Sequence, residues 1–145
     1  MKSIKFTIQS QLQNVPLVGM AVNKICSVLS ISNLEAHQIE LCIVEACTNV
    51  IKHAYHNDPS HKIEIQLNIC QDRIVFVICD TGLKMTHKPN PSIEFDPGNL
   101  EQLPTGKMGL FIINEIMSNI TYENQNGINI LTLTKNLHAD MSNPF

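Results

Sequence analysis

The sequence predicts an α/β two-layer sandwich: a mainly antiparallel sheet with helices on one face. Three features lead there. Segments of strict two-residue period open the chain, recur in its middle and close it, and the middle and closing pairs are each joined by a turn short enough for a hairpin. Two helical stretches lie together between the first strand and the second. One of these is apolar on so many sides that other elements must cover it.

The elements follow in order. Ile4, Phe6 and Ile8 alternate with Lys5, Thr7 and Gln9, a half-buried strand. Val15 to Leu29 carries apolar residues at helical spacing, with Asn14 as the expected N-cap and Pro16 in the first turn. Asn33 is the expected N-cap of a longer helix reaching about Tyr55, apolar through Leu41, Cys42, Ile43, Val44, Val50 and Ile51. Asn57-Asp58-Pro59-Ser60 is a turn. Ile63, Ile65, Leu67 and Ile69 alternate with Glu64, Gln66 and Asn68, giving a strand with one wet face. Gln71-Asp72 turns the chain into Ile74 to Cys79, an unbroken apolar run suited to a central strand. From 83 to 105 there is no period, and Pro89, Pro91, Pro97 and Pro104 fall inside; so long a connection in a compact domain predicts a lid or binding loop. Helical spacing returns from Met108 to Met117, and a last hairpin forms around Asn126-Gly127. The order β-α-α-β-β-loop-α-β-β gives the two layers.

Composition narrows the function. The 145 residues carry a formal net charge of −3, with Lys and Arg scattered, which disfavours direct nucleic-acid binding. No apolar run approaches the ~20 residues that span a bilayer. The N-terminus alternates polar and apolar residues without a signal-peptide core, so a cytoplasmic protein of one domain, 1–145, is expected. Cys26, Cys42, Cys47, Cys70 and Cys79 are widely spaced, odd in number and set in apolar segments, which predicts buried free thiols. His53, His56 and His61 match no standard zinc spacing and are read as turn and helix-end residues.

Four segments carry candidate chemistry. Glu45 and Asn49 stand four apart on the long helix and so share a face, which Lys52 and His53 continue. This could be a solvated helix face, or a carboxylate and an amide oxygen placed for a cation and a phosphate. Asp80-Thr81-Gly82 follows the apolar strand directly; it is either an ordinary strand-ending turn or an acceptor for a ligand amino group, with Gly82 allowing close approach. The long loop is the third. Thr105-Gly106-Lys107-Met108-Gly109 opens the next helix, where free backbone N–H groups and the helix dipole favour a phosphate and Lys107 adds a point charge. These glycines could also be simple caps, and the segment is not a Walker A loop.

Taken in order, the four resemble the GHKL ATPase superfamily, in its branch of anti-sigma factor serine/threonine kinases. Glu45-Ala46-Cys47-Thr48-Asn49 with His53-Ala54-Tyr55 resembles that branch's N box, E-A-x-T-N followed by H-A-Y. Asp80-Thr81-Gly82 resembles its first glycine box, and Gly106-Lys107-Met108-Gly109-Leu110 its second. The likeness runs from the first strand to Leu137. Many relatives place another glycine two positions after Gly82, where this chain has Lys84.

The resemblance implies the Bergerat ATP-binding fold, with ATP and Mg as cofactors and an ATP lid at about 83–105. It implies that Asn49 coordinates Mg and that Asp80 takes the adenine amino group with Gly82 beside the base. His53, Gly106, Lys107 and Gly109 complete the nucleotide site, and Glu45 serves as the general base. It further implies phosphorylation of a serine on a STAS-domain anti-sigma antagonist, binding of a sigma factor, and a homodimer. The alternative is a non-catalytic ATP-binding docking module. A detached histidine-kinase catalytic domain is a further one, which the E-A-x-T-N wording fits less well.

Overall fold

The computed structural model describes residues 1–29, 31–86 and 107–138, the side chains of 107 and 108 excepted. Its elements in chain order are β1 (Lys2–Gln9), α1 (Val15–Val28), α2 (Asn33–Asn49), β2 (Lys62–Ile69), β3 (Arg73–Asp80), α3 (Lys107–Ile116), β4 (Asn119–Gln125) and β5 (Ile128–Asn136). The strands form one sheet in the order β1-β2-β3-β5-β4, and every neighbouring pair is antiparallel. The expected α/β class and its mainly antiparallel sheet are therefore the observed ones.

Register decides which residues meet the helices. Phe76 lies opposite Leu67 on one side and Leu133 on the other, and Ile78 opposite Ile65 and Leu131. These rows are buried, and α2 covers them with Ile39, Cys42, Ile43, Ala46 and Cys47. α1 and α3 both pack against α2. The unbroken apolar run of β3 thus marks the middle of the sheet and α2 the middle of the helical layer, although Leu41, expected to be covered, is exposed. Asp80 and Asn129 sit opposite each other at the end of the same inward rows, so the sheet presents a polar pair where its apolar core stops.

Several boundaries differ from expectation. The N-cap of α2 is Ser32, one residue earlier than the expected Asn33. Its Oγ accepts from the Glu35 backbone N–H at 3.2 Å and donates to Glu35 Oε2 at 3.0 Å. Ser at the cap thus satisfies the free Glu35 N–H at the helix start, and Glu three residues on accepts from the Ser hydroxyl rather than from its backbone N–H. Asn14 occupies the N-cap of α1 without a side-chain cap bond; its Nδ2 donates instead to the Gln9 carbonyl at 3.3 Å. The long helix does reach the neighbourhood of Tyr55, but as α-helix only to Asn49, with a π turn over Val50–Ala54. Tyr55 N–H accordingly donates to the Val50 carbonyl, five residues back, at 3.0 Å.

The Asn126-Gly127 turn is as expected, with φ of 53° and 81° at its two residues, the pair of positive angles a tight hairpin of this hand requires. All five cysteines are free. Cys26, Cys42 and Cys47 are buried, and loss of water pushes each thiol up to about 12. Cys70 and Cys79 are only half-buried, against expectation, because Cys79 lies in the outward row of β3 and Cys70 just past the end of β2. Among the described residues no helix is long and apolar enough to cross a membrane.

Candidate active site

The site is built where the end of β3, the end of α2 and the start of α3 come together. On the β3 side, Asp80 is 7% exposed. Its Oδ1 accepts two hydrogen bonds, from the Gly82 N–H and from Asn129 Nδ2, each at 2.8 Å. Its Oδ2 has no partner among the described residues. No fully buried side-chain nitrogen or oxygen among them lacks one either, so Oδ2 keeps a path to the outside. Burial raises the Asp80 carboxyl above its ordinary value, and the bonds from Asn129 and Gly82 pull it back down.

Gly82 is fixed by contact with the π turn that follows α2. A Cβ placed there would lie 2.5 Å from the Ala54 carbonyl oxygen and 2.6 Å from its carbon. The next residue, Leu83, donates its N–H to that same oxygen at 2.9 Å. Tyr55 adds a second tie: its hydroxyl accepts from the Thr81 N–H at 2.9 Å and donates to the Lys62 carbonyl at 2.7 Å. The π turn therefore positions the site, because it sets the Ala54 carbonyl and the Tyr55 ring against the strand exit. Beyond Leu83 the Met85 N–H donates to the Tyr122 hydroxyl of β4 at 2.8 Å. The expected lid at about 83–105 is described only through 86, and 87–105 lie outside the described residues.

On the helical side, Glu45 and Asn49 are half-buried on one face of α2, and Gly109 is buried in the first turn of α3. A Cβ at Gly109 would come within 2.5 Å of Glu45 Oε2 and 3.6 Å of Asn49 Nδ2. The three residues thus converge although 60 positions separate Asn49 from Gly109 in the chain, and the absence of a side chain at Gly109 lets the Glu45 carboxylate lie against the α3 backbone. Neither Glu45 nor Asn49 has a hydrogen bond among the described residues. The helix N-terminus at Lys107 aims the positive end of its dipole at this place.

The remaining sequence candidates fare differently. His53 lies in the π turn, exposed, and makes no hydrogen bond or ion pair among the described residues. Gly106 lies outside the described residues, as does the Lys107 side chain. Sequence reasoning missed Asn129, Tyr122 and the role of Tyr55. A signal for Asn129 was present: two-residue alternation puts it in the inward row with Leu131 and Leu133, where a polar side chain needs a partner.

The donor set suits a nucleotide and its metal. Asp80 Oδ2 offers an acceptor to an amino group, and Gly109 brings the backbone of the first turn of α3 close to the Glu45 carboxylate. Glu45 and Asn49 supply hard oxygen atoms. Among the described residues no group of three His, Cys, Asp or Glu side chains could cage a metal. A divalent ion here would take one or two protein oxygens and complete its shell from phosphates, which is how Mg²⁺ is commonly held.

The profile of the histidine kinase-like ATPase domain matches residues 8–135. The chain belongs to that family. Within it, the chain is similar to the serine-protein kinase RsbW of Bacillus subtilis, at 23% identity over 140 residues, covering 94% of this chain and 87% of that one. Its likeness to RsbW of Halalkalibacterium halodurans is 27% over 142 residues, covering 96% and 86%. Among solved structures it resembles one of the RsbU and RsbW domains of a Mycobacterium tuberculosis protein, with a TM-score of 0.66 at 14% identity. That match covers 93% of this chain and 32% of the longer one, and at that identity it shows the fold.

Proposed function

We propose that this histidine kinase-like ATPase domain is an ATP-dependent protein serine/threonine kinase and anti-sigma regulator acting in a partner switch. Its substrate would be a serine on a STAS-type anti-sigma antagonist, and its other partner a sigma factor. The observation that carries the reading is the convergence of Gly109 with Glu45 and Asn49 of α2, whose following π turn packs its Ala54 carbonyl against Gly82, two residues after Asp80. A base-reading carboxylate at one end and a phosphate-and-metal end at the other are what phosphoryl transfer from ATP needs. The similarity to serine-protein kinases over nearly the whole chain supports it.

In this reading Asp80 Oδ2 accepts from the adenine amino group while Gly82 lets the base lie against the backbone. Asn49 would hold Mg²⁺, which would supply charge neutralisation to the ATP phosphates. Gly109 presents the helix backbone to them, with Gly106 and Lys107 beside it in the chain and His53 one helical turn after Asn49. The 83–105 segment serves as the lid of a single domain. Glu45, unencumbered by any bond among the described residues, accepts the proton of the attacking serine hydroxyl. The protein works in the cytoplasm as a homodimer.

The test mixes the protein with Mg-ATP and its cognate STAS partner and measures phosphoserine. Incorporation that disappears in Glu45→Gln is the expected result. No incorporation by the unaltered protein, with ATP shown to be bound, would overturn the kinase reading. Lys84, exposed at the position where many relatives place a glycine, favours a second reading, an ATP-binding module that regulates by docking alone. Glu45→Ala separates the two, since docking survives loss of the base.

A further inference from the structure

We propose that Asn129 determines the base specificity of the nucleotide site, by holding Asp80 as an acceptor-only group that takes a 6-amino purine and rejects a 6-oxo purine. The inference rests on the ATP reading above and adds to it a residue outside the N box and both glycine boxes.

The geometry is specific. Asn129 is 1% exposed and lies directly opposite Asp80 in the β3–β5 ladder. Its Nδ2 donates to Asp80 Oδ1 at 2.8 Å, to the Gly82 carbonyl at 3.1 Å and to the Leu83 carbonyl at 3.2 Å. Its own Oδ1 accepts from Asn124 Nδ2 at 2.8 Å, which fixes which end of the amide faces Asp80. A single NH₂ group thus ties the carboxylate to the two backbone carbonyls that follow it. Asn124 donates to Asn129 and Asn129 to Asp80, a chain of hydrogen bonds running from β4 to the site.

The chemical consequence follows from where the bonds fall. Both internal donors reach Oδ1, so Oδ2 is the oxygen left for a ligand. Two N–H groups on one carboxylate oxygen stabilise the charged form over the acid. A carboxylate can only accept. It pairs with the 6-amino group of adenine, and it meets the 6-oxo group of guanine or hypoxanthine as one acceptor against another, which is the strong kind of discrimination a polar site can make. Without the Asn129 N–H, burial pushes the carboxyl toward its protonated form, which could donate to a 6-oxo group. The other titratable groups in electrostatic contact with Asp80 are Tyr122 on β4 and Cys79 beside it.

Inosine triphosphate differs from ATP only on the base edge that faces Asp80, where a 6-oxo group replaces the 6-amino group and N1 becomes an N–H, so the test compares Mg-ATP and Mg-ITP binding to the full chain across pH. The unaltered protein should prefer ATP by about a hundredfold or more. Asn129→Leu, close in volume, should weaken ATP about tenfold and narrow the ATP-to-ITP ratio at least as much. It should also move the acid limb of ATP binding to higher pH, and Asn129→Ser, with one donor restored, should move both partway back. Equal weakening of both nucleotides, with ratio and acid limb unchanged, would overturn the inference and leave Asn129 a scaffold residue. If the variants do not fold, the Asn129 side-chain amide resonances of the unaltered protein decide. They should titrate with the Asp80 carboxyl, and pH-insensitive resonances overturn the proposal. Unaltered protein that binds neither nucleotide defeats the ATP reading itself. Unaltered protein that binds ATP selectively, beside an unchanged Asn129→Leu, defeats the inference alone.

Discussion

The two ends of the site are built by different physics. At the Asp80 end every element is tied to another: Gly82 lies against the Ala54 backbone, Asn129 ties Asp80 to two carbonyls, and Tyr55 and Tyr122 pin residues 81 and 85. At the Glu45 end, contact is between a glycine and the tips of two side chains that have no hydrogen bonds among the described residues. The first end is fixed by backbone and buried polar bonds, which cannot shift without loss of structure. The second is held only by which faces of α2 and α3 meet. A binding end that is preorganised and a reacting end that is free to respond to its ligand fit a site that must recognise one molecule and then transform it.

Substitutions at the two ends should therefore break different things. The largest effect expected is Glu45→Gln, which should lower phosphoryl transfer about 10²–10⁴-fold, the range for loss of a general base, with ATP affinity and melting temperature unchanged. If affinity falls as far as rate, Glu45 belongs to binding and the division is wrong.

The two glycines make the sharpest pair. Gly82→Ala forces a Cβ into the Ala54 backbone and should cost about 1–3 kcal/mol of unfolding free energy, as overpacking does. Gly109→Ala meets the movable end of Glu45 instead. It should leave stability within about 0.5 kcal/mol and lower kcat by displacing the carboxylate. Chemical denaturation and steady-state kinetics on both variants test this, and equal loss of stability would erase the contrast.

Asp80→Asn should abolish ATP binding yet leave the fold at least as stable at pH 7. The Asp80 carboxyl is raised in the folded protein, mainly by burial. It favours folding fully below its unfolded value near 3.8, and that contribution is lost as pH rises through the raised folded value. The stability advantage of the Asn variant should therefore be largest at neutral pH and shrink on acidification, as paired urea titrations at several pH values would show. A variant less stable than the parent at pH 7 would mean that the bonds from Gly82 and Asn129 outweigh burial. Smallest of all, Ser32→Ala should cost about 1 kcal/mol through loss of the α2 cap and leave ATP affinity untouched. A change in affinity would show that the far end of α2 reports on the site.

The sequence by itself determined the elements, because period is a local property. Ile63 to Ile69 must alternate if one face of a strand is wet, and the apolar residues of α2 require cover, which Cys42, Ile43 and Cys47 receive and Leu41 does not. It also carried Glu45, Asn49, Asp80 and Gly82 as candidates, since motif spacing on a helix or after a strand fixes which residues share a face. The cap of α2 was misplaced by one residue because Ser32 and Asn33 are both good caps, and only the bond to Glu35 distinguishes them. The π turn was not legible, since no single residue type demands it; it arises where the helix end must meet the exit of β3. Cys79 shows the same limit, being half-buried because nothing among the described residues covers the outer face of β3.

What only the tertiary structure decided is which distant residues touch. Gly109 reaches Glu45 because α3 packs on α2, and Asn129 reaches Asp80 because β5 inserts between β3 and β4, a neighbour relation that chain order conceals. Local spacing constrains one element at a time, whereas a site made from four elements exists only once burial of their apolar faces has fixed the register between them.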